Sequence, residues 1–492
     1  MTVVAGVDSS TQSTTVVLRD SGSGRVLGTG RSPHPATFPP VSEQNPADWW
    51  RALTTAFAQA RESACIPAGD IKAVSIAAQC HGLIALDCAG EVIRPVKLWN
   101  DTTSAAQMEK LTTRIGVSEW VQRTGSLPTA AFTVSKLAWL AENEPSSLAR
   151  LAKVLLPHDW LTWRLTGRFV TDRSEATGTG YYNAPRNSYD MDILSLIDPN
   201  RDWKDHLPTV LGPSEAAGRI LPHAADELGI SRDALVGAGS GDQHASAVGL
   251  GATPGDLVFV FGTSGVIYGL SPVPVNDASG MINCVADATG GYQPLVCTLN
   301  AAKVTDTMAR VLQVSHPELS ELALAAPRDA DRPVMAAYFD GERTPNRPDA
   351  RGTLTGLSND LTREALALSA YEGVILGLTR GQAALEDQGV NTGGRVLITG
   401  GGAASRAYRQ ILADLTGREV SGVKEPETVA AGAAVQAAAV LLGESITGIR
   451  DRWAPDTFIA AAPSNNIHAQ EVRNRYAAVA SWRGADTGTA LA

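Results

Sequence analysis

The chain has 492 residues, a formal net charge of −10, and a composition of 44% hydrophobic and 19% charged residues. That length exceeds one compact core and predicts two or three domains, while the acidic balance, with no basic run, argues against a nucleic-acid partner. The N-terminus carries neither a basic region nor a long apolar one, and no stretch of about 18 apolar residues occurs, so neither a signal peptide nor a membrane span is expected.

In chain order, Val3–Val7 and Thr14–Leu18 are short apolar runs of strand type. A third strand, Arg25–Gly30, follows the turn Asp20-Ser21-Gly22-Ser23-Gly24. Asp48–Ala60 has helical spacing, with Trp49, Leu53, Ala56, Phe57 and Ala60 on one face. Ile71–Ala77 predicts a buried strand ending at Gln79-Cys80-His81-Gly82, and residues 104–165 read as mainly helical. A second strand-rich opening begins with Asp256–Phe261, turns at Gly262-Thr263-Ser264-Gly265 and returns as Val266–Leu270. Leu361–Gln388 predicts a long helix, Arg395–Thr399 a strand, and Ser405–Thr416 a helix. Val429–Leu442 is built from small residues that allow close helix packing, and the last 30 residues are poor in apolar pattern and expected to be partly frayed. The chain therefore divides into two halves near residues 245–255, each opening with strand, hydroxyl-rich turn and strand.

Four segments can carry chemistry. In Gly6-Val7-Asp8-Ser9-Ser10-Thr11-Gln12-Ser13 an acidic residue leaves a strand ahead of a turn whose N–H and hydroxyl groups can hold phosphate, and Asp8 can ligate Mg²⁺. Gly262-Thr263-Ser264-Gly265 repeats that chemistry in the second half, so the pair suggests two loops closing on one phosphate chain. Gly400-Gly401-Gly402-Ala403 joins a strand to a helix and lets backbone approach an anion. Gly239-Ser240-Gly241-Asp242-Gln243-His244 sets a carboxylate where it can take the proton of an attacking hydroxyl. Taken singly, each is also compatible with an ordinary turn. His81 reads either as a sugar-hydroxyl partner or as a structural histidine, and Trp99-Asn100-Asp101 either as a sugar platform or as core and cap. A P-loop is absent. The five cysteines, Cys65, Cys80, Cys88, Cys284 and Cys297, form no C-x-x-C pair and predict reduced thiols in a cytoplasmic protein.

In their order, GVDSSTQST, AAQCHGLIALD, LWNDTTS, GSGDQHASAVG, FGTSGV, YFDGERTPNRPDARGTLTGL, ITGGGAASRAYRQILADLTG and EPETVAAGAAVQAA resemble the FGGY carbohydrate kinases, and within them the xylulokinases. The resemblance runs over roughly residues 2–445. It implies an α/β, actin-like fold of two ribonuclease H-like domains flanking a cleft: 1–248 binding sugar and supplying the base, 249–462 binding nucleotide, and 463–492 a tail. It implies ATP and Mg²⁺ as the partners of catalysis and D-xylulose as acceptor at its 5-hydroxyl. Asp242 would be the base and Asp8 the metal-side carboxylate. Cys80, His81, Asp242 and Gln243 would touch the sugar, Gly401, Gly402 and Ala403 the nucleotide, and Thr11 and Thr263 its phosphates. Closure by a hinge near 245–255 would exclude water. Two residues depart from the xylulokinase pattern: Cys80 stands where Met is common before the histidine, and Gln243 where Asn is common after the aspartate. Three rivals share the fold: a kinase for ribulose, a deoxyketose, gluconate or a sugar alcohol; a non-catalytic actin-like ATPase; and a regulatory sugar-binding protein. The resemblance leaves a homodimer open and implies neither nucleic acid nor membrane as partner.

Overall fold

The computed structural model describes residues 1–328, 331–464 and 468–482. The first half opens with β1 (Val3–Ser9), β2 (Ser13–Asp20) and β3 (Val26–Pro33), an antiparallel meander rich in β-branched residues. Helix α1 (Pro46–Ala64) follows; the Asn45 side chain accepts from the Ala47 N–H and Pro46 pre-sets the first turn. It returns the chain to β4 (Ile71–Ala78), which lies parallel to β1 with Asp8 opposite Ala77. A helical layer then intervenes, containing α2 (Pro157–Thr166) and α3 (Arg173–Thr177). β5 (Ala216–Arg219), β6 (Leu235–Gly237), the two-residue β7 (Ser240–Gly241) and α4 (Asp242–Gly249) complete the half. The sheet order is β5-β6-β4-β1-β2-β3, with β7 added on β4.

The second half repeats the plan. β8 (Leu257–Phe261) and β9 (Gly265–Gly269) are antiparallel neighbours, extended by β10 (Asn283–Ala286) and β11 (Tyr292–Thr298). After α5 (Arg363–Asp387), β12 (Val396–Thr399) enters parallel to β8; α6 (Arg406–Thr416) and β13 (Val420–Val423) follow. Then come α7 (Thr428–Leu442), β14 (Thr457–Ala461) and α8 (Ala469–Ser481). The order β10-β11-β9-β8-β12-β13-β14 reproduces the first sheet's logic: a central strand with an antiparallel meander on one side and a parallel crossover on the other. This is the expected α/β actin-like arrangement.

The halves are joined by more than the linker after Gly249. Helix α7 follows β13, yet it packs on β1, β4 and α4 of the first half. The fit is backbone on backbone. A Cβ on Gly6 would lie 1.9 Å from the Ala430 carbonyl oxygen, one on Gly249 1.9 Å from that of Thr428, and one on Gly432 1.9 Å from that of Ala245. The alanine-rich stretch of α7 is buried in this contact, as its small residues predict. Among the described residues no single helix is long and apolar enough to cross a membrane.

The structure adds detail to two expectations. Residues 104–165 are mainly helical but include the strand Lys153–Leu155, which pairs with Ile84–Leu86. The C-terminal stretch is not simply frayed: α8 buries Val472, Tyr476 and Ala480 against the second half. Three apolar residues at helical spacing suffice for docking, too few to stand out in a polar sequence; the remainder of that expectation falls on 465–467 and 483–492, outside the described residues.

The seat of α7 is testable. Gly432→Ala forces a methyl group into the Ala245 backbone and is expected to cost about 2–3 kcal/mol, while Gly69→Ala, where a Cβ meets nothing within 4 Å, is neutral. Equal melting temperatures for the two variants would contradict the contact.

Candidate active site

The first half converges on the carboxyl ends of three neighbouring strands, where open α/β sheets place their ligands. β1 ends at Asp8-Ser9, β4 at Ala77-Ala78, and β7 runs Ser240-Gly241 into α4; pairing sets Asp8 and Ser240 both opposite Ala77. Asp8, Cys80-His81 and Asp242 are thus brought to one edge although they are far apart in sequence.

Asp242 is the first residue of α4 and half-buried. Its Oδ1 accepts from the Gln243 N–H at 2.7 Å and from the Cys80 thiol at 3.4 Å. Burial raises its pKa, the Cys80 hydrogen bond opposes, and the charge of Glu175 adds to burial; the outcome is about 6. Asp8 is pushed up to about 7, by burial first, against the hydrogen bond it accepts from Ser10, with the charges of Asp242 and Glu427 adding to the rise. Arg31 is the cation that faces this group and lies 4.0 Å from Glu427. The Gln243 side chain is exposed at the rim.

Cys80 is buried, and burial with the neighbouring carboxylates keeps it a thiol. His81 adopts a left-handed backbone, φ 67°, which turns its N–H toward Glu175 Oε1 at 2.5 Å. Its ring stacks on Phe132 with centroids 5.0 Å apart, and its Nδ1 lies 3.2 Å from the same Glu175 oxygen. That leaves Nε2 for a ligand. Gly178 is required beside it, because a Cβ there would lie 2.0 Å from Nδ1. Phe132 is itself held by Lys136, whose buried ammonium donates to the carbonyls of Ala130, Ala131 and Phe132.

Glu175 is the residue that the sequence reading missed. It sits on the short α3, whose cap is Asp172, accepting from the N–H groups of Ser174 and Glu175 at 2.7 and 3.0 Å. Burial favours its neutral form, but His81, Cys80 and His158 outweigh this and leave its pKa below the ordinary value. Behind it, His158 lies 3.2 Å from Asp159 and 3.3 Å from Asp172, and the two carboxylates overcome burial and raise its pKa to about 9. The Asp172-to-Glu175 spacing was a legible cap signal; nothing local tied it to a strand end more than 90 residues earlier.

Thr11 turns toward this side as well. Its hydroxyl donates to Gln79 Oε1 at 3.1 Å and accepts from the Trp99 indole at 3.0 Å. The second half holds a separate cavity of about 530 Å³, in the range of small-molecule sites. Gly401, Gly402 and Ala404 form one wall, with Tyr371, Tyr408 and Thr305 among the others. Ala403 belongs to the same turn, but its neighbour Ala404 faces the cavity. Thr263 is exposed in the turn between β8 and β9. Gly400 and Gly402 pack directly on Phe261, so that turn and the triple-glycine turn are adjacent.

The N-terminal domain model of the FGGY family of carbohydrate kinases matches residues 3–249, and its C-terminal domain model matches residues 257–441. The chain is 40% identical over 458 residues to a xylulose kinase of Streptomyces rubiginosus, covering 92% of this chain and 90% of that one. It is 39% identical over 458 residues to a xylulose kinase of Streptomyces coelicolor, with the same coverage. Among solved structures, the xylulose kinase of Bifidobacterium adolescentis superposes with a TM-score of 0.85 at 35% identity, over 97% of this chain and 99% of that one.

The raised pKa of Asp242 has a stability consequence. The folded state disfavours its charged form, so the cost is absent below about pH 4, grows up to about pH 6 and is complete above it. Asp242→Asn keeps the shape and removes the cost. Its melting temperature should exceed that of the wild type at pH 8, with the gap closing between pH 6 and 4. A gap independent of pH would mean that Asp242 is not strained by its charge.

Proposed function

The chain belongs to the FGGY family of carbohydrate kinases, and from that premise we propose that it transfers the γ-phosphoryl group of ATP to the 5-hydroxyl of D-xylulose, giving D-xylulose 5-phosphate and ADP, in the cytoplasm. The observation that carries the acceptor is the 40% identity to a xylulose kinase along 92% of the chain. The chemistry follows from the strand-end cluster. Asp242 accepts the proton of the attacking hydroxyl as its oxygen bonds to phosphorus and the bond to ADP breaks. A pKa of about 6 makes it a stronger base than a free carboxyl of about 3.9 and still ionised at neutral pH. Glu175 holds the His81 ring, whose Nε2 is left to pair a sugar hydroxyl; Cys80 and Gln243 flank the same base. The cavity at Gly401 and Gly402 takes the nucleotide, with Ala403 in its turn, and Thr11 and Thr263 belong to the two turns that face phosphate.

Burial and the charges of Asp242 and Glu427 raise the cost of ionising Asp8, and a hard carboxylate oxygen in that position suits Mg²⁺. Asp8 would hold it. Mg²⁺ bound with ATP supplies neutralisation of the phosphate charge. Closure about residues 245–255 would keep water from replacing the sugar as acceptor.

Two measurements test this reading. kcat/KM at saturating Mg-ATP, compared across ketoses and polyols, should be highest for D-xylulose; a sugar preferred by about tenfold or more, which is about 1.4 kcal/mol of discrimination, would replace the acceptor and leave the kinase. Asp242→Ala should lose at least about a hundredfold in turnover with the fold intact, and the wild-type rate should fall below about pH 6 as Asp242 takes up its proton. A flat profile down to pH 5 would remove Asp242 from the role of base.

A further inference from the structure

Three donor side chains of different chemistry meet behind Asp242 at a point left open by a glycine. Cys80, Glu175 and His244 are all buried, and one ligand atom from each lies within 4.8 Å of the other two. The direction in which Gly241 lacks a side chain marks where they converge: a Cβ there would lie 2.4 Å from Glu175 Oε2, 2.7 Å from Cys80 Sγ and 2.7 Å from His244 Nδ1. Neither ring nitrogen of His244 has a hydrogen-bond partner. Buried polar atoms are seldom left so. The role of Glu175 in orienting His81 uses its other oxygen, Oε1, and the transfer reaction has no use for His244.

We propose that Cys80, Glu175 and His244 form a binding site for a thiophilic divalent cation, Zn²⁺ in the first instance, whose occupation inhibits the kinase. A thiolate, an imidazole and one carboxylate oxygen make a zinc-type set, whereas Mg²⁺ takes oxygen ligands and water. Short side-chain rotations close the observed spacing onto bonds of about 2.0–2.3 Å. The Cys80 thiol proton is released to solvent as the sulfur–metal bond forms. Asp242 adjoins the site, its Oδ1 3.4 Å from the Cys80 sulfur. A doubly charged ion there replaces the thiol proton shared with Asp242 and stabilises its ionised form, weakening it as a base. Binding stands on the geometry alone; inhibition rests on the role given to Asp242 above.

Co²⁺ is the probe for binding, added to the full-length, metal-free, reduced protein. One cobalt per chain should bind with a thiolate-to-metal charge-transfer absorption, lost on adding one equivalent of Zn²⁺. The band should persist in Cys65→Ser/Cys88→Ser, whose altered residues are exposed, and vanish in Cys80→Ser and His244→Gln. Absence of the band in the wild type or in the double variant overturns the site, whether or not the two buried variants fold, and so does its survival in Cys80→Ser. For inhibition, Zn²⁺ should lower ketose phosphorylation at saturating Mg-ATP, and His244→Gln, which alters no group used in the transfer, should need at least about tenfold more Zn²⁺ for the same effect. Equal sensitivity of the two proteins overturns the inhibitory role while the cobalt spectrum still reports the site. If no ketose is phosphorylated, the proposed reaction fails and the spectrum again decides the site independently.

Discussion

The contact of α7 with β1 and α4 is the constraint from which the active-site geometry follows. Backbone meets backbone at Gly6, Gly249 and Gly432, so no side chain larger than hydrogen fits at these three points of the contact. Its side chains then reach the chemistry. Gln436 accepts from the Gly239 N–H at 3.0 Å and donates to the carbonyls of Gly239 and Pro213 at 3.1 and 3.0 Å. It therefore clamps the loop that delivers Asp242. Glu427, at the helix start, sets part of the charge that Asp8 experiences. A helix that belongs in sequence to the second half thus finishes the acidic centre of the first.

Within that frame, electrostatics divides the labour among the carboxylates. Glu175 gathers His81, Cys80 and His158 and stays charged; Asp242, next to it, receives the burial and the repulsion and rises to about 6. Environments that push neighbouring titratable groups apart are how one site holds both a fixed anion and a usable base. The layer behind, His158 between Asp159 and Asp172, keeps Glu175 in place through the cap that Asp172 makes on α3. Gly239 lies against that layer, since a Cβ there would come 2.5 Å from the His158 ring.

Much of this was legible in the sequence, for identifiable reasons. The strands at Val3, Thr14, Ile71 and Leu257 are continuous apolar runs, and the helix at Trp49 has a one-sided apolar face; both signals are local. The turns at Asp8, Gly262, Gly400 and Asp242 were visible as clusters of glycine and hydroxyl residues at strand ends. What was not legible depends on pairing. Glu175 and His244 gain their meaning only when β4 and β7 lie side by side, and α8 reads as polar until the second half offers it a surface. The placement of α7 on the first sheet was hidden for the same reason: its small residues announce close packing but do not name the partner.

That placement also orders events during synthesis. The face of the first sheet that carries Val4 and Ala73 is closed by Ala434, Val435 and Ala438 of α7. All the strands of that sheet have been synthesised once Gly241 is made, but the helix that covers them is finished about 200 residues later. At about 5–20 residues per second this is on the order of ten to forty seconds, during which the nascent first half presents an apolar surface that no earlier part of the chain supplies a partner for. Uncovered apolar sheet of this kind is what makes incomplete chains prone to aggregate, and a truncation between the two halves would leave this face without its cover.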